Sequence, residues 1–276
     1  NGVITTFIEA VDFSGKSNAD TALIEIDEAA FGKICNVLVP DVLVVTNFFR
    51  DQLDRYGELY GTLRLVREAI TPFDKTKLIL NADDSLCASI GKELNNEVIF
   101  YGIEKEALDL NNETFTPADA VFCLYCKNRY EYDYHIYGHL GGFNCPNCGY
   151  KRPIPDVFCT AITEFAETYT IVDMSLNDKS VSAKINLPGL YNVYNALPAA
   201  ACCDALELPI ENIVNALASF ESGFGRMETI VAGDKFIKLI LVKNPTGFDQ
   251  VLSFFLEQND NMQIAFIIND NAADGR

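Results

Sequence analysis

The chain has 276 residues, 39 acidic against 21 basic, and a net charge of −18. That charge opposes general binding to DNA, RNA or an anionic membrane, because each would add like-charge repulsion. With 49% hydrophobic residues, the chain is long enough for one large or two ordinary domains, and it has no apolar run long enough to span a membrane.

In chain order, strands and helices alternate. Thr21-Ala-Leu-Ile-Glu-Ile is expected as a strand ending at Asp27-Glu28. Val42-Leu-Val-Val is a continuous apolar run, as in a central parallel strand, and ends at Thr46-Asn47. A helix is predicted from Arg50 to Ile70. Lys77-Leu-Ile-Leu forms the third strand, ending at Asn81-Ala-Asp83-Asp84, before a short helix. Glu97-Val-Ile-Phe-Tyr is the fourth strand. Ala161–Val172 and Ser180–Leu187 have period-two character and are expected as antiparallel strands at the sheet edge. Helices follow over Tyr191–Ala205 and Ile210–Ala218. Lys235–Val242, Gln250–Leu256 and Gln263–Ile268 predict a new strand–helix–strand unit after a boundary near residue 227. The pattern is that of an α/β sheet with helices on both faces.

The polar clusters fall at the C-terminal ends of strands, where open α/β sheets bind ligands. Asp27-Glu28, Thr46-Asn47 and Asn81-Ala-Asp83-Asp84 are expected to converge on one rim and to suit Mg²⁺ with phosphate oxygens. Turn formation and helix capping is the alternative for any single cluster.

The strongest local signal is Cys123-x-x-Cys126 followed by Cys145-x-x-Cys148. That spacing matches the ligand set of a structural zinc ribbon, over about 119–152. Cys145-Pro-Asn-Cys-Gly149 has the Pro and Gly of a sharp knuckle. Two disulfides or four unrelated core cysteines is the weaker alternative. Four thiolates leave no open position, which makes the metal structural. Tyr125, Tyr130, Tyr132, Tyr134, Tyr137 and Tyr150 crowd the segment. Lys127, Arg129, Lys151 and Arg152 stand among Glu131, Asp133 and Asp156, too balanced for a nucleic-acid surface, so the tyrosines are read as packing around the knuckles. Cys35, Cys87, Cys159, Cys202 and Cys203 lie in apolar segments and read as free thiols of a reducing compartment. Residues 1–6 have no basic start and no cleavage site, and a cytoplasmic protein is expected.

Four motifs in order then resemble the Mur ligase superfamily: Thr46-Asn-Phe-Phe-Arg-Asp-Gln-Leu-Asp-Arg-Tyr-Gly57, Leu80-Asn-Ala-Asp-Asp84, Gly189-Leu-Tyr-Asn-Val-Tyr-Asn-Ala-Leu197 and Gly225-Arg-Met-Glu228. Gln52 stands where most of that superfamily has His. The inserted four-cysteine segment, Lys243-Asn-Pro-Thr-Gly-Phe248 and Asn269-Asp-Asn-Ala-Ala-Asp-Gly275 resemble its MurT branch. The resemblance implies a Mur ligase-type central ATPase domain over 1–227, carrying the ribbon, and the start of a Rossmann-like C-terminal domain over 228–276. It implies ATP-dependent amidation of the D-glutamate α-carboxylate of lipid II to D-isoglutamine. It also implies that Glu28 binds Mg²⁺, that Asn47, Asn81 and Asn192 lie near the nucleotide, and that Arg226 reaches its phosphates. Asp51 and Gln52 belong to the same rim. A carboxylate of the Asp270–Asp274 stretch, Asp270 or Asp274, would meet ammonia.

His135 and His139 are the only histidines, both inside the ribbon, where polar contacts are expected of them. With no Cys–His glutaminase pair readable, a separate GatD-like glutaminase subunit is implied. Gly15-Lys16-Ser17 is not a phosphate-binding loop, since the position five before Gly15 is Ala10 and no strand precedes it. The chain is therefore expected to begin after that loop, to stop inside a larger C-terminal domain and, as written, not to turn over ATP. The alternatives are an amino-acid-adding Mur ligase or folylpolyglutamate synthase-like ligase, and a non-catalytic binding module.

Overall fold

A computed structural model describes residues 2–17, 19–49, 59–108, 119–221, 228–242, 245–256 and 263–267. Helix α1 (Gly2–Glu9) precedes α2 (Glu28–Cys35). Strand β1 (Val42–Val45), helix α3 (Leu59–Ile70), strand β2 (Lys77–Asn81), helix α4 (Ser85–Glu93) and strand β3 (Val98–Ile103) follow. The insertion contributes a hairpin, β4 (Glu131–His135) and β5 (Gly141–Asn144). Next come β6 (Val157–Phe165), β7 (Thr170–Leu176), β8 (Lys179–Ile185), α5 (Leu190–Ala205) and α6 (Ile210–Ser219). Strands β9 (Glu228–Ala232) and β10 (Lys235–Leu239) and helix α7 (Pro245–Leu256) complete the set.

Six strands form one sheet in the order β1-β2-β3-β6-β7-β8. The first four run parallel, and β6, β7 and β8 pair antiparallel. Successive side chains of a strand point to opposite faces, and the apolar runs supply both. Val42, Val44, Ile79 and Ile99 join one core with Val193, Leu197 and Ala201 of α5. Leu43, Val45, Leu78 and Leu80 join a second core with Leu63, Val66 and Ile70 of α3. The 3.6-residue period of an α-helix puts those three α3 residues on one stripe.

Three expectations change. Residues 21–26 form no strand. Leu23 there is 95% exposed, and an apolar parallel strand is stable only when both faces are covered. The stretch 161–172 is not one strand: it straddles the turn between β6 and β7, which Ala166 N–H closes by donating to Tyr169 O. Beyond residue 227 the described residues begin with a β9–β10 hairpin turning at Gly233 (φ 67°), followed by α7, and 263–267 form no strand. A tight left-handed turn at Gly favours antiparallel return over a crossover. Of the predicted helix 50–70, the part 50–58, with Asp51 and Gln52, lies outside the described residues. Among the described residues no helix is long and apolar enough to cross a membrane.

Candidate functional site

The insertion folds as two copies of one turn. Cys123 N–H donates to Asn128 O at 2.7 Å and Lys127 N–H to Cys123 O at 2.9 Å. Cys145 N–H donates to Tyr150 O at 2.8 Å and Gly149 N–H to Cys145 O at 2.9 Å. The fifth residue of each turn is left-handed, Lys127 at φ 62° and Gly149 at φ 72°. Both turns aim their sulfurs inward, and all four Sγ atoms lie within 4.8 Å of one another. Cys123 is 3.5 Å from Cys148 and Cys126 is 3.3 Å from Cys145. A tetrahedral zinc with Zn–S near 2.3 Å needs sulfurs about 3.8 Å apart, so the set fits that ion. The Asn147 side chain and the Asn128 N–H push the Cys126 thiol down to about 6. Burial opposes charge on Cys123, but N–H groups of Cys126 and Tyr125 outweigh it and lower that thiol too. The Tyr150 N–H favours the Cys148 thiolate, but burial and the three neighbouring sulfurs outweigh it and push that thiol up to about 12; thiolates are the metal-binding form.

The tyrosines pack, as expected. Tyr130, Phe143 and Tyr150 are buried with Cys123 and Cys145 against Ala88 of α4. Tyr125 meets Tyr150 edge-on, with ring centroids 4.8 Å apart.

At the C-terminal end of β2, Asp83 and Asp84 are both fully buried. Asp84 caps α4: its Oδ1 accepts from Leu86 N–H at 2.8 Å and Cys87 N–H at 3.4 Å. Its Oδ2 accepts from Phe48 N–H at 2.8 Å. His139 Nε2 lies 3.2 Å from Asp84 Oδ1. Asp83 accepts from Arg152 Nε, from Tyr194 Oη at 2.6 Å and from Ile103 N–H at 2.8 Å. Arg152 also reaches Glu104 at 3.2 Å and donates to Ile103 O. Gly141 N–H donates to Asp83 O at 3.0 Å, and Tyr150 Oη to Ser85 O at 2.6 Å.

The expectation that these two carboxylates hold Mg²⁺ is therefore corrected. They are buried and committed to an arginine, a tyrosine and four backbone N–H groups, with the His139 ring lying against Asp84. The helix-capping alternative holds for Asp84.

Asn81 Nδ2 donates to Thr46 O at 3.0 Å, and its Oδ1 accepts from Asp83 N–H at 2.9 Å. Tyr101 Oη donates to the same Thr46 carbonyl at 2.8 Å. The ends of β1 and β2 are thus joined, with half-buried Asn47 beside Thr46. Asn192 is buried in the first turn of α5, its Nδ2 donating to Pro188 O at 2.7 Å. Each carboxamide keeps one further N–H and one further lone pair. Glu28 is exposed as the first residue of α2, behind Asp27, whose Oδ1 accepts from Ala30 N–H at 3.0 Å. Arg226, Asp270 and Asp274 lie outside the described residues. Gly15-Lys16-Ser17 is an exposed turn in which Asp12 Oδ1 already accepts from Ser14 and Lys16 N–H. A carboxylate inside the turn repels phosphate, in agreement with its rejection as a phosphate loop.

Sequence reasoning missed Arg152 and His139 as partners of Asp83 and Asp84. The polar contact expected of His139 is with Asp84, since a buried histidine needs a polar neighbour.

The sheet, parallel over four strands and with polar groups at their C-terminal ends, is an α/β framework of the kind that binds ligands at its strand ends. The family model for the Mur ligase middle domain matches residues 5–150, and that for the MurT ligase C-terminal region matches 241–276. The chain belongs to the Mur ligase family. Within it, the sequence is similar to the MurT subunit of the glutamine-hydrolysing lipid II isoglutaminyl synthase of Streptococcus pneumoniae, at 32% identity over 99% of this chain and 59% of that protein. The corresponding subunit of Staphylococcus aureus is 32% identical over 92% of this chain and 56% of that protein. The chain thus spans somewhat over half the length of these relatives. Among solved structures, a pseudomurein peptide ligase type C from Methanothermus fervidus aligns at a TM-score of 0.63 and 32% identity, covering 77% of this chain and 40% of that one.

Proposed function

We propose that the full-length polypeptide is the synthetase subunit of an enzyme that amidates the D-glutamate α-carboxylate of the lipid II stem peptide to D-isoglutamine. The γ-phosphoryl group of ATP passes to a carboxylate oxygen, giving ADP and an acyl phosphate. Ammonia forms the C–N bond and phosphate leaves. The carboxylate is a poor electrophile, and phosphorylation converts an oxide into a leaving group. The transfer needs charge neutralisation and positioning.

In this reading residues 1–227 form the central domain, and 119–152 form a ribbon holding structural Zn²⁺ on Cys123, Cys126, Cys145 and Cys148. Residues 228–276 begin a Rossmann-like domain that brings Asp270 or Asp274 to the ammonia. Glu28 holds Mg²⁺, Arg226 engages phosphate, and Asn47, Asn81 and Asn192 border the nucleotide. A GatD-like glutaminase subunit supplies ammonia, and the complex works in the cytoplasm.

One observation carries the reading: a four-cysteine double knuckle inserted in a Mur-type sheet, in a chain similar to MurT along 99% of its length. The test mixes the full-length polypeptide with a GatD-like glutaminase, ATP, glutamine and lipid II, and follows mass. Replacement of one hydroxyl by an amide is expected. Gain of a whole amino-acid residue instead marks the second reading, an amino-acid-adding ligase, which the likeness to a pseudomurein peptide ligase favours.

Glu28→Ala is expected to lower amidation about 100-fold or more while the glutaminase still co-purifies, because a metal ion contributes several kcal/mol of charge stabilisation. Amidation undiminished in the variant would remove Glu28 from the metal site.

A further inference from the structure

We propose that Asp83 and Asp84 form a hub through which the four-cysteine insertion sets the geometry of the nucleotide rim. Arg152 is the positioning residue that grips it, and His139 packs beside Asp84. This rests on the reading above that Asn47, Asn81 and Asn192 border the nucleotide.

Two arms leave the insertion. Arg152, four residues past Cys148, binds the Asp83 carboxylate, and His139, at the tip of the β4–β5 hairpin, meets Asp84 at 3.2 Å. From these two residues, hydrogen bonds lead to each of the three rim segments, one from the Asp83 backbone N–H and two from the carboxylates. Asp83 N–H donates to Asn81 Oδ1 and so orients that carboxamide toward Thr46 O. Asp84 Oδ2 takes the N–H of Phe48, the residue after Asn47. Asp83 Oδ2 accepts from Tyr194, two residues along α5 from Asn192. The Phe49 ring, meeting His139 with centroids 4.9 Å apart, adds a packing contact between the same loop and the insertion.

The space for the grip is provided by β3. A Cβ on Gly102 would lie 2.9 Å from Arg152 Nη2 and 2.9 Å from Asp83 Oδ2. Real Cβ atoms do not approach that closely, so this strand position leaves room for the ion pair. A buried pair recovers little net stability over apolar packing, whereas it fixes geometry. Burial pushes the Asp83 carboxyl up, with Arg152 pulling against it.

The test uses the full-length polypeptide with its glutaminase and reads kcat and KM for ATP and for lipid II separately. Arg152→Met is expected to raise KM for ATP about tenfold, the size of one lost hydrogen bond to a charged group. KM for lipid II and bound zinc stay unchanged, and Arg152→Lys recovers part of the loss. Gly102→Ala moves KM for ATP the same way while leaving every charge in place. Tyr194→Phe removes one hydroxyl, gives a smaller rise of about threefold, and decides the matter if Arg152→Met fails to fold. A lowered melting temperature with KM for ATP unchanged in Arg152→Met and Tyr194→Phe overturns the hub. Asn81→Ala separates the two ideas. If it raises KM for ATP while the hub variants do not, the hub alone fails; if it leaves KM unchanged, the nucleotide reading fails and the hub with it.

Discussion

Cys126→Ser is expected to release the zinc and lower the melting temperature by about 10 °C or more. Structural zinc in isolated finger peptides contributes about 10–16 kcal/mol of folding energy at neutral pH. The loss here is smaller, because the insertion is also held by the Asp83–Arg152 pair and by the Tyr150 hydrogen bond to α4. Even about 3–5 kcal/mol moves the midpoint of a domain this size by roughly 10 °C. Cys123 and Cys145 are part of the buried cluster of Tyr130, Phe143 and Tyr150, so loosening the knuckles loosens it too. The check is metal content by atomic spectroscopy beside a thermal scan, with a chelator giving the same two changes in the unmodified protein. Unchanged zinc and an unchanged midpoint would mean that the four cysteines hold no ion.

The parts of this molecule readable in the sequence are those encoded within a few residues. Each knuckle closes by hydrogen bonds across six residues, so Cys-x-x-Cys spacing carries it. The parallel strands β1 and β2 carry continuous apolar runs, Val42–Val45 and Leu78–Leu80, and are readable for the same reason. The hub was not, because Arg152 and Asp83 are 69 residues apart and nothing local separates Arg152 from its neighbour Lys151. Asp83-Asp84 was read as a metal rim because the residue types that ligate Mg²⁺ also cap helices. Only tertiary burial decides between the two. Residues 21–26 have the composition of a strand but pair with no strand among the described residues, and composition does not report pairing.

Removing the Asp84 carboxylate gives the second large effect. Asp84→Ala is expected to destabilise the protein by about 2–4 kcal/mol. A lost helix cap costs about 1 kcal/mol, and leaving buried hydrogen-bonding groups without their acceptor costs about 1–3 kcal/mol more. The Phe48 N–H is one such group. Asp84→Asn keeps an acceptor for the cap and should lose less. The pH dependence follows from the direction of the shift. Burial pushes the Asp84 carboxyl up, but His139 and the N–H groups of Phe48 and Leu86 outweigh it and hold it below its usual value. The neighbouring Cys87 thiol, 3.5 Å away, is pushed well up by burial and stays neutral. A carboxylate whose folded-state pKa is depressed contributes its full stability above its unfolded value of about 4. That contribution is lost as pH falls through the folded value. The gap in melting temperature between the unmodified protein and Asp84→Asn should therefore be constant from about pH 5 to 7 and close as pH drops below about 4. A gap that persists unchanged into acid would show that Asp84 acts through shape and capping, with its charge contributing nothing to the hold of the insertion on the sheet.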